Sequence, residues 1–150
     1  MKKSIQFMSI LLMAVLLNSC SNDDGGNTQN DPFVGKWKQV SEKENGIDQT
    51  LTTCDLQEVT EIKGNGDFIA EDFDLVNGEC VLNDPNEPGL TVTAKWEKLA
   101  TDSYRVNFYA NGQLAFSLDF ATEFSNNNNT MTTTATEPDG DIVVSVSNRI

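Results

Sequence analysis

Cysteines and carboxylates are the residues of this chain that could support chemistry, because the sequence contains no histidine. The commonest general base and the commonest metal ligand of proteins are therefore missing. Three cysteines are present: Cys20, Cys54 and Cys80. No histidine can activate these thiols as nucleophiles, and no Cys-x-x-Cys spacing favours zinc. The sequence predicts neither a catalytic cysteine nor a zinc site.

Two pairs of aspartates could act as an acid–base pair or as calcium ligands, namely Asp72 with Asp74 and Asp139 with Asp141. Each pair lies beside loop or turn residues, and neither has the spacing of an EF-hand loop. The chain also lacks the nucleophile-elbow, phosphate-loop, dinucleotide and zinc-protease motifs. We interpret these carboxylates as solvated surface, with calcium binding as a minor alternative, and predict no cofactor and no enzymatic activity.

The N-terminus has the parts of a bacterial signal peptide. Lys2 and Lys3 are basic, and Phe7–Leu17 is an eleven-residue run in which Ser9 is the one polar member. A run of this length is too short for a transmembrane helix, which needs ~20 apolar residues. The pattern predicts that residues 1–19 are a signal peptide, removed on export.

This run ends in Leu17-Asn18-Ser19-Cys20, which resembles the bacterial lipobox. The resemblance implies diacylation of the Cys20 thiol, cleavage before Cys20 and acylation of the new amino group. Stable anchoring takes more than one acyl chain, at ~0.8 kcal/mol per buried CH₂. The implied product is a lipoprotein held at the membrane by palmitate-like chains. An ordinary signal peptide with an incidental cysteine is the alternative.

Residues 20–32 have the composition of a tether between a lipid anchor and a folded domain. Residues 21–31 include no apolar side chain and are rich in Asn, Asp and Gly, so this segment cannot bury a face. Asp23 and Asp24, soon after the cysteine, resemble the surface-export signal of Bacteroidetes lipoproteins. That resemblance implies the cell envelope, at the outer membrane, with display on its outer face.

Acidic residues outnumber basic ones in the chain, 23 to 10. Lys2 and Lys3 would leave with the signal peptide, so the mature chain would carry 8 basic and 23 acidic side chains, a net charge of −15. Such a field repels nucleic acid. We predict no nucleic-acid partner and one monomeric domain over residues 33–150, because single domains cluster near ~100–150 residues.

Within this domain the apolar residues alternate with polar ones, which predicts β-strands. In the segment Gln113–Ala121, Leu114, Phe116, Leu118 and Phe120 fall on one face. Asn111-Gly112 precedes this segment and follows the alternating run Tyr104–Ala110. Asn-Gly between two such runs predicts a hairpin with a type I′ turn.

Further strand patterns cover most of the remaining domain. They are Leu56–Ile62, Asp67–Phe73, Leu90–Glu97, Met131–Ala135 and Ile142–Val146. In the first of these the apolar residues are three apart, which leaves a helical turn open. About eight short strands with mostly short connections predict an all-β, antiparallel up-and-down meander closed into a barrel or sandwich.

Cys54 and Cys80 form an even pair once Cys20 carries lipid, and export places them in an oxidising compartment. We predict that they form a disulfide. In the chain-entropy model a bridge over this separation is worth roughly 3–4 kcal/mol.

Gly35-Lys36-Trp37 opens the first strand pattern of the domain and resembles the Gly-x-Trp signature of lipocalins. The order of lipobox, acidic tether, Gly-x-Trp, two cysteines and Trp-bearing strand resembles the lipocalin-like lipoproteins of Bacteroidetes. The resemblance implies a lipocalin-like (calycin) barrel that Trp37 closes at one end. It also implies that Arg149, near the end of the last strand, lies over the Trp37 ring as a cation.

An eight-stranded barrel is just wide enough to be filled by side chains or to hold one small ligand. Candidate pocket-lining residues are Trp96, Phe108, Phe116 and Phe120, although core packing explains the same pattern. Our first hypothesis is a lipid-anchored protein that binds a small apolar or amphipathic ligand. The alternative is a structural or interaction lipoprotein, with a solid barrel that binds protein or glycan partners.

Overall fold

The computed structural model describes residues 30–84, 89–137 and 139–150. The predictions for the signal peptide, for Cys20 and for most of the tether lie outside the described residues. The described part of the chain is almost entirely β-structure, with one 3₁₀ helix, Asp55–Gln57. Its strands are β1 (Gly35–Glu44), β2 (Ile47–Asp48), β3 (Val59–Ile62), β4 (Asp67–Val76), β5 (Glu79–Asn83), β6 (Val92–Ala100), β7 (Ser103–Ala110), β8 (Gln113–Ser125), β9 (Thr130–Thr136) and β10 (Ile142–Arg149).

Eight of these strands form a closed antiparallel barrel in the order β1-β3-β4-β6-β7-β8-β9-β10. The barrel closes because β10 pairs back onto β1, with Trp37 opposite Arg149 and Glu44 opposite Val143. Two short strands lie outside the ring, since β2 extends β1 and β5 pairs with the far part of β4. The predicted all-β, up-and-down, lipocalin-like barrel is confirmed.

The hydrophobic core occupies one half of the barrel. That half contains the start of β1, the end of β3, the start of β7 and the start of β9. The buried core side chains are Phe33, Trp37, Ile62, Trp96, Tyr104, Val106 and Met131. We call this half the closed end. We call the other half the open end; there β1 leads into β2, β4 leads into β5, and β7 leads into β8.

The β7–β8 hairpin has the predicted turn, because φ is positive at both Asn111 (51°) and Gly112 (77°). A β-bulge follows, since Phe108 lies opposite Phe116 while the next residue, Tyr109, lies opposite Leu114. The bulge puts Leu114, which is 58% exposed, on the opposite face from Phe116, so the expected common face of β8 is wrong at Leu114. Phe116 shares the face of Leu118 and Phe120, but it lies toward the open end and is 57% exposed. A bulge cannot be read from strict alternation, which assumes an unbroken ladder.

The spacing of apolar residues in Leu56–Ile62 allowed either a strand or a helical turn, and the structure has both in this region. The 3₁₀ helix Asp55–Gln57 comes first, and strand β3 begins at Val59. Thr52 stabilises the helical turn, because its hydroxyl accepts hydrogen bonds from the backbone N–H groups of Cys54 and Asp55, both at 3.2 Å. The single strand predicted for Leu56–Ile62 is thus shorter than expected.

The barrel wall is thinnest between β4 and β6, which are joined by only two residue pairs, Asp67 with Lys95 and Phe68 with Ala94. Beyond Phe68, strand β4 separates from β6 and pairs with β5 instead, from Asp72 to Val76. The wall therefore opens at this seam toward the open end of the barrel.

Candidate ligand-binding cavity

The segment before β1 crosses the closed end and contributes Phe33 to the core. Phe33 is 1% exposed, and its ring stacks on Tyr104 with the centroids 4.2 Å apart. It also meets the edge of Trp96 at 5.3 Å. Aromatic rings in these arrangements add to the free energy of burying their apolar area. The segment of residues 31–34, which we call the strap, therefore seals this end.

Asp31 fixes the strap to two strands. One carboxylate oxygen accepts hydrogen bonds from the Tyr104 hydroxyl (2.7 Å) and the Phe33 backbone N–H (2.9 Å), and the other binds Lys98 Nζ at 2.7 Å. Burial opposes ionisation of Asp31, but these bonds outweigh it and lower its pKa. Burial, together with the Asp31 carboxylate, raises the pKa of Tyr104, which stays protonated and donates.

Trp37 and Arg149 come together at the same end, as the resemblance implied. The guanidinium carbon of Arg149 lies 4.3 Å from the centre of the Trp37 ring. The Trp37 indole N–H donates to the Phe33 carbonyl at 2.9 Å. Arg149 donates to the carbonyls of Val34 and Pro32, each at 2.7 Å. These bonds join the first and last parts of the barrel through the strap.

Gly35 is required by this arrangement. Its φ is +154°, and a Cβ at this position would overlap Nη1 of Arg149 and lie 3.1 Å from the guanidinium carbon. Because Arg149 is already bonded to two carbonyls, it has no easy way to move aside. The Gly-x-Trp spacing thus combines a ring that closes the barrel with the gap through which the arginine reaches it.

The predicted disulfide is present between Cys54 and Cys80, whose Cα atoms are 5.3 Å apart. Cys54 is buried beside the 3₁₀ helix, and Cys80 lies in β5. Since β5 pairs only with β4 among the described strands, the bridge fastens the β4–β5 hairpin to the barrel from its other side. It therefore holds in place one wall of the seam between β4 and β6.

A cavity of about 320 Å³ lies inside the barrel, above the Trp37 ring. This volume is at the lower end of the range for small-molecule sites, ~300–1,000 Å³. Its apolar lining comes from the core and from β8, and its polar lining comes mainly from the opposite strands. The lining side chains include Phe33, Trp37, Ile62, Phe68, Leu118, Phe120 and Met131, with Gln39, Thr60, Thr133, Glu137, Ser145 and Ser147 as the polar ones.

A second cavity, of about 550 Å³, lies at the seam between β4 and β6. Ala70 and Asp72 of β4, Val92 and Ala94 of β6, and Phe108 of β7 line it. Phe68 lines both cavities, so the two spaces adjoin at this ring. The second cavity therefore lies where the pairing between β4 and β6 ends.

The four predicted lining residues have different positions. Phe120 lines the interior cavity, and Phe108 lines the cavity at the seam. Trp96 is 5% exposed in the core, and its indole N–H donates to the Lys63 carbonyl at 2.8 Å. Phe116 lines neither cavity but stacks on Phe108, with the centroids 4.4 Å apart. Alternation placed these rings on the inner side of the sheet, but it could not separate core positions from cavity positions.

Sequence reasoning missed the polar wall of the interior cavity. Gln39 donates to the Glu42 carboxylate at 2.9 Å, and the Ser145 hydroxyl donates to the same oxygen at 3.4 Å. Ser145 is far from the other two residues in the sequence. Gln39 and Glu42 are close in the sequence, but a bulge in β1 between Gln39 and Ser41 separates them. The one available signal was the presence of polar residues where β10 should face inward, at Ser145 and Ser147.

Carboxylates surround the open end. Asp141 raises the pKa of Glu44 by its negative charge, with partial burial and the charges of Glu137 and Asp139 acting in the same direction. The negative charges of this group therefore oppose the ionisation of one another. In the described part of the chain, no group of three or more acidic or thiol ligands is placed to hold a metal ion.

Glu58 and Asp72 form a second acidic pair, between the 3₁₀ helix and the seam. Partial burial, and after it the hydrogen bond and negative charge of Asp72, raise the pKa of Glu58 to about 7. The unfolded chain releases this proton near pH ~4.3. The folded state holds the proton more tightly than the unfolded chain does, so the proton on Glu58 stabilises the fold. This stabilisation is complete below that pH and is lost as the pH rises to about 7.

We therefore expect Glu58→Gln to remove a decline in the free energy of unfolding between acidic and neutral pH. The group is only partly buried, so solvent screening limits the expected gain at neutral pH to about 1 kcal/mol. Urea unfolding at a series of pH values measures it. Glu71→Gln, at an exposed position of β4 next to Asp72, is the control. An unchanged pH dependence in Glu58→Gln would show that the pair does not share a proton.

The fold and the cavities define a class of protein: a closed eight-stranded antiparallel β-barrel with interior space next to a sealed end. Comparison of the chain with protein-family models, curated proteins and solved structures finds no match in any of the three. Among the described residues there is no helix long and apolar enough to cross a membrane. What the barrel does must therefore be argued from its own geometry.

Proposed function

We propose that this protein is a lipid-anchored barrel of the cell envelope that binds a small apolar or amphipathic molecule. The observation that carries the proposal is the cavity of about 320 Å³ inside the barrel, which shares the lining residue Phe68 with the larger space at the seam. A solid barrel would instead have filled this volume with side chains. The aromatic and aliphatic lining supplies apolar contact, and the polar wall supplies a few hydrogen-bonding groups, which is the usual composition of a small-molecule site.

The test is to fill the interior cavity and measure binding of N-phenyl-1-naphthylamine, an uncharged fluorophore that brightens in apolar surroundings. Thr133 lines the cavity, whereas its neighbour Thr134 is exposed on the outside. A chain that starts at Ser21 serves for this experiment, because every described element lies after residue 29. We expect saturable one-to-one binding that Thr133→Phe weakens at least tenfold and Thr134→Phe leaves unchanged.

Ala135→Leu provides a milder filling of the same cavity and guards against misfolding of the larger variant. Thermal unfolding confirms that each variant is folded before its binding is compared. Equal binding in Thr133→Phe, Ala135→Leu and Thr134→Phe, or no binding to the unchanged chain, would contradict the proposed function.

The anchoring part of the proposal rests on the lipobox-like sequence that ends at Cys20. The position of the strap supports it, because residues 31–34 lie across the closed end and the chain from Cys20 therefore joins the barrel there. The open end and the seam are then directed away from the point of attachment. Such a geometry leaves the cavities accessible while the barrel is held at a membrane.

Cys20→Ser is expected to abolish acylation, because the thiol is the atom that takes the first lipid. The measurement is incorporation of labelled palmitate during growth, with Cys54→Ala/Cys80→Ala as the control that keeps Cys20. We expect full labelling in the control and none in Cys20→Ser. A wild-type chain that sediments with membranes without any acyl label would contradict the anchor.

A second candidate function is binding of a protein partner by the open end. Large apolar side chains are exposed on the two hairpins there, which is uncommon unless the surface meets something. They are Leu75, Val76, Val81, Leu82, Leu114 and Phe116, each between 46% and 64% exposed. The cavity-filling variants distinguish the two functions, because a partner held by these hairpins would still bind to Thr133→Phe.

A further inference from the structure

We infer that the cavity selects amphiphiles whose polar end is uncharged or cationic and rejects anionic ones such as fatty acids. This inference rests on the proposed function and specifies the chemical class of its ligand. It follows from three observations: an apolar wall, a polar wall that presents carboxylates, and the absence of any basic side chain among the residues that line the two cavities.

The apolar wall is formed by consecutive strands of the barrel. Phe108 of β7 and Leu118 and Phe120 of β8 are the lining side chains from these two strands. Phe116 stacks on Phe108 and is 57% exposed, so the aromatic surface continues from the cavity to the open end. A chain or flat ring lying along this surface would bury apolar area at both depths.

The polar wall lies on the opposite side, on β1, β3, β9 and β10. Its hydroxyl and amide groups can donate or accept, but its charged groups are carboxylates only. Glu137 lines the cavity itself, and Glu42 holds the lining side chains of Gln39 and Ser145. At the seam, Asp72 is a carboxylate that lines the second cavity.

No basic residue lines either cavity, and three of the basic side chains nearest to them are held by other groups. Lys95 binds Asp67, Lys98 binds Asp31, and Arg149 binds backbone carbonyls at the closed end. An anionic head group would therefore lose its hydration and gain only negative neighbours, which is costly. An ammonium or a hydroxyl would find acceptors.

Three ligands of ten carbons each test the inference: decylamine, decanol and decanoate, each kept below its solubility limit or its critical micelle concentration. Isothermal titration calorimetry at physiological ionic strength and pH 7.5 measures their dissociation constants for the chain starting at Ser21. We expect decylamine and decanol to bind and decanoate to bind at least tenfold more weakly than either. Decanoate binding as tightly as decanol or decylamine overturns the inference but not the proposed function, whereas no binding of any of the three overturns both.

Charge in the cavity must be separated from the net charge of the protein. Glu137→Gln removes a cavity carboxylate, while Glu123→Gln removes an exposed one from outside the lining of the cavities, with the same change in net charge. We expect Glu137→Gln to tighten decanoate binding several-fold relative to decanol binding, and Glu123→Gln to leave this ratio unchanged. An equal gain for decanoate in both variants would show that long-range repulsion, rather than the cavity, determines the selection, and would overturn the inference.

Discussion

Replacement of Trp37 by alanine is expected to lower the free energy of unfolding by about 4 kcal/mol, which is the usual cost of emptying a buried tryptophan site. Trp37 is 1% exposed and lies between the interior cavity and the closed end. Its loss would also leave the Phe33 carbonyl without its indole donor and the Arg149 guanidinium without its ring. Because Trp37 already borders a cavity, we expect neighbouring side chains to fill little of the space that its removal leaves.

Urea unfolding followed by circular dichroism measures this loss as a shift of the midpoint at constant slope. Trp37→Phe keeps an aromatic ring and should lose less than half as much. Tyr109→Ala, at a half-buried position outside the core cluster, is the control for removal of an aromatic side chain from the barrel. A loss below about 1 kcal/mol in Trp37→Ala would mean that the strap and Arg149 close the barrel without the indole.

Loss of the Cys54–Cys80 bridge is expected to lower the free energy of unfolding by roughly 3 kcal/mol. The two cysteines are 26 positions apart in the sequence, and without the bridge the unfolded chain between them is no longer closed into a loop. The folded state should respond locally, since the bridge fastens a hairpin in which β5 pairs with β4. We therefore expect the reduced barrel to remain folded while amide hydrogens of β5 exchange faster than those of β7 and β8.

Comparison of the oxidised chain, the chain treated with dithiothreitol and the variant Cys54→Ala/Cys80→Ala measures this effect. Reduction should lower the stability of the unchanged chain to near that of the double variant, and it should not affect the double variant. Two free thiols in the denatured, unreduced chain starting at Ser21, or a stability that does not respond to reduction, would contradict the bridge.

The strands were predictable from the sequence where the ladder is regular. The Asn111-Gly112 turn and the last strand are where the alternation placed them, because a half-buried strand must alternate to cover one side of the core. Two features were not predictable. The bulge near Tyr109 moves Leu114 to the other face of β8, and β5 pairs with β4 where β4 has separated from β6. Both depend on pairing between strands, which a pattern along one strand does not contain.

The closing ring and its cation were predictable, whereas the strap and the cavity were not. Asp31 was assigned to the tether, yet its carboxylate binds Tyr104 and Lys98. Gly35, Trp37 and Arg149 could be named because the resemblance to the Gly-x-Trp signature of lipocalins implies a closing ring with a cation over it. The polar wall depends instead on which strands face each other across the barrel. Ser145 and Gln39 are neighbours of Glu42 only after β10 has closed onto β1. Burial of single rings such as Trp96 likewise follows from distance to the closed end.

Native mass spectrometry of the chain starting at Ser21, exported and purified without detergent, tests the central claim most directly. The claim predicts a second species, heavier by the mass of one small molecule, that disappears on denaturation and is absent from Thr133→Phe. It also predicts a one-to-one complex after incubation with decanol. A single apo mass that stays unchanged after incubation with decanol, decylamine and decanoate would contradict a ligand-binding barrel.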